Sequence, residues 1–189
     1  MAYRTLQSGE RQPGIRPRQT LGRTLDSRAR RAVPIAACVL AVLLLNAPLG
    51  LPGAAELLPG FLLASVFFWS VFRPGSMAAV PVFLLGLFCD LLGSAPPGLT
   101  PLLLLATHAL AIARREALSA LGFTAMWAVF ALVATVAAGA QWGVTSLFRQ
   151  QPMPLLPAAF EAALACALYP PLSACFTWAH RSVADPRRA

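Results

Sequence analysis

The 189 residues carry fifteen basic and seven acidic side chains, for a formal charge of +8, yet 58% of them are hydrophobic and only 12% are charged. An ordinary soluble domain has about 25% charged residues, so the composition argues against one and for an integral membrane domain with a short basic tail. All fifteen basic residues are arginines, eight before Val33 and most others beside apolar runs, which is a pattern of orientation signals and leaves no nucleic-acid partner to expect.

Residues 1–31 include Arg30 and Arg31 at their end, with Pro13, Gly14 and Pro17 and few large apolar side chains. Such a segment cannot bury a core, and it is expected as a disordered cytoplasmic tail resting on anionic lipids. Four stretches without basic charge follow, 32–72, 74–113, 116–148 and 150–180. Because about 20 helical residues cross a bilayer, the first two are sized for a hairpin of two spans each and the last two for one span each. Six crossings collect fourteen of the fifteen arginines on one side and leave Arg149 on the other. The positive-inside bias then sets both termini in the cytoplasm. The expected organisation is a tail over 1–31, an all-α domain of six transmembrane helices over 32–180, and a basic cytoplasmic tail over 181–189.

The first span is expected at 33–51, with Pro34 in its first turn and Asn46-Ala47-Pro48 loosening its outer end. The second, 57–72, begins with Pro59-Gly60 and ends in Phe67-Phe68-Trp69, before the inner turn Arg73-Pro74-Gly75. Trp69 and Trp178 are placed at the cytoplasmic interface and Trp142 at the outer one. Spans three and four, 77–93 and 99–113, are joined by Ser94-Ala95-Pro96-Pro97-Gly98 and closed by Arg114-Arg115, a second inner anchor. Fifteen residues of helix reach only about 22 Å of a ~30 Å core, so the joining turn is expected at or below the outer surface, with a re-entrant hairpin as the competing geometry.

Span five, 120–147, carries small residues at every fourth position, Ala131, Thr135, Gly139 and Gly143, which lets another helix come close. Packing within the chain is favoured over a partner interface. Span six opens at Pro157 with Glu161 in its first turn, and breaks late at Tyr169-Pro170-Pro171. Cys38, Cys89, Cys166 and Cys175 lie in apolar segments without metal-ligand spacing and read as small hydrophobes.

Asp90 is the residue that most needs explaining, an acid inside the run 82–92 and in the half of its helix where the dipole disfavours negative charge. At about 100° per residue Gly86, Asp90 and Gly93 share one narrow face. The favoured reading is that Asp90 accepts hydrogen bonds from the 94–98 turn and pins it; the other is an ion, proton or partner contact. A direct pair with His108 is not expected, since the two stand at different depths on antiparallel helices. His108 is expected to bond a backbone carbonyl or another span. With no catalytic motif and no lysine, neither enzyme activity, cofactor nor metal is expected.

From Phe68 to Arg115 the chain resembles the bacterial rod-shape-determining protein family MreD. The likeness rests on Phe68-Trp69, Arg73-Pro74, the run Gly86-Leu87-Phe88-Cys89-Asp90-Leu91-Leu92-Gly93-Ser94, then Gly98-Leu99 and the basic turn, with Leu58-Pro59 and Tyr169-Pro170-Pro171 in support. The long arginine-rich tail and Pro96-Pro97 depart from the family pattern. The resemblance implies a non-enzymatic scaffold of the cell-elongation machinery in the bacterial inner membrane. Its implied partners are the bitopic protein MreC, the actin-like MreB filament, and the RodA polymerase with its transpeptidase. It also implies a fold similar to the six-helix substrate-binding subunits of energy-coupling-factor transporters. That similarity supplies the alternative, a membrane subunit capturing a small ligand, for which Asn46, Asp90, His108, Gln141 and Glu161 are the available polar groups.

Overall fold

The computed structural model describes the backbone of residues 21–46, 54–93 and 96–184 and the side chains within 32–46, 56–93 and 96–178. The regular elements among these residues are all helices, without strands: α1 (Leu21–Asn46), α2 (Ala54–Phe72), α3 (Ala79–Leu92), α4 (Leu99–Ala113), the short α5 (Arg115–Ser119), α6 (Phe123–Phe148) and α7 (Leu156–Ala184). A 3-10 turn at Pro74–Ser76 links α2 to α3. Residues 1–20, 47–53, 94–95 and 185–189, which include the expected tails and parts of the expected outer turns, lie outside the described residues.

The helix α2 is the axle of the bundle. Every residue from Leu62 to Val71 is buried, as a helix that is apolar on all sides requires, and α1, α4, α6 and α7 surround it. Its two buried serines are satisfied without water, Ser65 Oγ donating to the Phe61 carbonyl at 2.7 Å and Ser70 Oγ pairing with His108 of α4 at 2.8 Å. Aromatic rings lock it to its neighbours. Phe67 lies against Phe130 of α6 and Tyr169 of α7, whose rings stack at 4.3 Å, and Phe68 and Trp69 meet Phe176.

Two close approaches set the spacing of the helices. A Cβ on Gly86 would collide with the backbone of Pro101, which holds α3 against α4, and one on Gly60 would come within 2.9 Å of the Ala165 Cα, which holds α2 against α7. Neither glycine can accept a side chain without moving backbone.

Two stretches, Phe123–Phe148 and Leu156–Trp178, are long and apolar enough to cross a membrane. Their apolar windows are only 33% and 17% buried, unlike the core helix of a soluble protein, so most of their hydrophobic surface faces outward. The apolar parts of α1 to α4 are shorter, and length and composition therefore qualify two helices rather than six.

Several boundaries differ from expectation. Helix α1 begins at Leu21 and takes in 21–31, because no proline interrupts the chain between Pro17 and Pro34 and Leu, Arg and Ala favour helix. Pro34 is therefore interior to the helix, where it removes one backbone hydrogen bond. Helix α2 starts at Ala54, placing Pro59 inside it, and α7 starts at Leu156, so Glu161 stands one turn deeper than the helix end. Trp69 is buried, at 6% exposure, where an interfacial ring was expected; Trp178 is 72% exposed.

Candidate functional site

Asp90 closes the α3–α4 hairpin. Its Oδ2 accepts a hydrogen bond from the Gly98 N–H at 2.6 Å, while its Oδ1 is buried without a hydrogen-bond partner among the described residues. Gly98 has φ +91°, the left-handed conformation that lets the chain reverse into α4 without a Cβ clash. The expected pinning of the turn is thus what the geometry provides. His108 does not meet Asp90: its Nδ1 faces Ser70. Gly93 caps α3 with its N–H on the Cys89 carbonyl.

At the opposite end the two arginine turns come together. Arg115 Nε donates to the Val71 carbonyl at 3.0 Å, satisfying one of the carbonyls left open where α2 ends. The Arg73 N–H closes the same helix on Trp69, and Pro74 begins the 3-10 turn. Arg73 is half-buried and Arg114 exposed; Arg30 and Arg31 fall within α1, their side chains outside the described residues.

Pro170 lacks the N–H that would bond the carbonyl of Cys166 four residues earlier. Trp127 of α6 supplies the missing donor, its Nε1 lying 2.9 Å from that oxygen. Sequence reading singled out Pro170 and passed over Trp127, although a tryptophan in an apolar run signals an N–H that needs an acceptor.

The ridge on α6 is not internal packing. Thr135 and Gly139 are exposed, and among the described residues nothing lies within 4 Å of a Cβ built on Gly139 or Gly143. The same helix turns Met126, Phe130, Ala134 and Ala138 inward, while Leu132 and Val136 face out beside the small residues of the ridge. Thr135 Oγ1 bonds back to the Ala131 carbonyl and leaves the ridge smooth.

Between the helix ends remote from the arginine turns lies a cavity of about 260 Å³. Asn46, Thr100, Gln141 and Glu161 converge on it from α1, α4, α6 and α7, and leucines of α2 and α4 complete its wall. A groove of about 590 Å³ shares Pro59 and Glu161 with it and adds Glu56 and Phe160. Three of the five polar residues singled out from sequence thus meet in one place; Asp90 and His108 are held elsewhere by Gly98 and Ser70. Among the described residues, no group of three acidic, histidine or cysteine side chains is arranged to hold a metal ion.

The chain matches no protein-family model, no curated protein and no solved structure.

Proposed function

We propose that the chain is a six-span protein of the bacterial inner membrane and a non-enzymatic scaffold of the MreD kind, joining MreC and cell-wall synthases in the bilayer to an MreB-like filament beneath it. The observation that carries this reading is the outward ridge Ala131-Thr135-Gly139-Gly143, a shallow lane on a helix apolar enough to cross a membrane, with no described helix laid against Gly139 or Gly143. Six crossings are supported by the meeting of the Arg73 and Arg115 turns at one end of the bundle and by the convergence of the opposite ends on one cavity. Both termini then lie in the cytoplasm.

Copurification from native membranes tests the scaffold. An MreC-like bitopic subunit is expected to follow the wild-type chain and to be lost from Gly139→Leu at equal expression. Depletion should round rod-shaped cells, and a depleted culture that keeps its shape and normal wall insertion would overturn the proposal. The cavity supports a second reading, capture of a small ligand from the outer face, because polar side chains from four helices converge there.

A further inference from the structure

Resting on the second reading, we infer that the cavity between the outer helix ends takes a small organic ammonium ion, an amine carried on a compact apolar body.

Size comes first. A volume of about 260 Å³ corresponds to the liquid share of about nine waters, room for a molecule of about ten non-hydrogen atoms. Sign follows from the lining. Glu161 borders both the cavity and its groove, Glu56 stands in the groove, and among the described residues no arginine borders either. The Arg73 and Arg115 turns gather at the other end of the bundle, and Arg149, at the cavity's end, is exposed and outside the lining of both, so no described arginine lines the recess with Glu161. A carboxylate in an apolar recess needs a cation or a donor, and an ammonium group supplies both.

The remaining polar groups fit the same guest. The carbonyl oxygens of Asn46 and Gln141 and the hydroxyl of Thr100 can accept the other N–H bonds of an ammonium. Asn46 spends an amide N–H on the Val42 carbonyl at 2.9 Å, which leaves its side-chain oxygen to accept. The leucines contributed by α2 and α4 give the apolar body its wall, and Phe160 in the groove offers a ring face to a passing cation. A bare metal ion is poorly served, since one carboxylate and neutral groups across a cavity of this width cannot close around it.

Isothermal titration of the full-length chain in phosphatidylcholine nanodiscs tests this, with phenethylammonium, neutral phenylethanol and phenylacetate as probes of nearly equal size. Saturable binding of phenethylammonium alone is expected, weakened about tenfold or more by Glu161→Gln and lost in Ala138→Phe, which fills the cavity. Gln141→Leu, with an unchanged melting temperature, provides a second variant that should weaken binding if Ala138→Phe fails to fold. Saturable binding of phenylethanol or phenylacetate in place of the amine, abolished by the same variants, would overturn the ammonium class and leave the ligand reading standing. No saturable binding of any probe would overturn both. Phenethylammonium uptake that is unaffected by Glu161→Gln and Gln141→Leu would show partition into lipid and overturn the inference.

Discussion

One oxygen of Asp90 holds the Gly98 N–H, and the other has no hydrogen-bond partner among the described residues. This asymmetry separates two substitutions. Asp90→Asn keeps an acceptor for Gly98, so it should leave the melting temperature in detergent unchanged. Asp90→Leu strands the Gly98 N–H and should cost about 1–3 kcal/mol in the same measurement. An Asn variant as unstable as the Leu variant would mean that charge matters at this position beyond accepting one bond. Trp127 makes a comparable case. Trp127→Phe keeps an aromatic body but leaves the Cys166 carbonyl without its donor, and a loss of about 1–3 kcal/mol is expected; pairing it with Pro170→Ala, which restores the backbone N–H, should recover much of that loss. Asp90 was conspicuous in the sequence because an acid in an apolar run is expensive. Trp127 was not, because its donor gains meaning only once the proline on another helix is seen beside it.

At the scale of helices, glycine separates the close contacts from the open ones. Gly86→Ala drives a methyl into the Pro101 backbone and should destabilise by about 1–3 kcal/mol, while Gly139→Ala meets nothing and should be neutral or stabilising by about 0.5–1 kcal/mol through helix propensity. Thermal unfolding of the two purified variants checks the contrast, and equal losses would place Gly139 against a neighbour after all. From sequence both glycines read as places where a helix can approach. The four-residue spacing on α6 identified a ridge but gave no direction, because a stripe of small residues packs equally well inward or outward until the bulky side chains of the opposite face find their partners. Phe130 found Phe67 of α2 and Tyr169 of α7, and the ridge was turned out.

For the molecule as a whole, the ends of the bundle differ in charge. Arg73, Arg114 and Arg115 lie at one end with Glu116 as their single described acid, and Glu56 and Glu161 border the recess and groove at the other, where Arg149 is the one described arginine. In the proposed topology the arginine end faces the cytoplasm. A cysteine introduced at Ser119 should therefore react with an impermeant maleimide only after spheroplasts are lysed, and one at Gln150 should react in intact spheroplasts, each measured above the native thiols. Reaction of the Ser119 position from outside would reverse or break the six-span arrangement.

Composition and periodicity alone determined that the described chain is helical and apolar, roughly where its long helices lie, and that Asp90 has business with the turn beside it. These properties depend on local pattern, since a helix needs only its own period and a buried acid needs only a nearby donor. Which helix becomes the axle, which face of α6 is left open, and the meeting of Asn46, Thr100, Gln141 and Glu161 across about a hundred residues of chain were decided by tertiary packing. Six apolar segments can be bundled in many orders with similar burial, and only the fit of particular surfaces, Gly86 on Pro101 and Gly60 on Ala165, selects one.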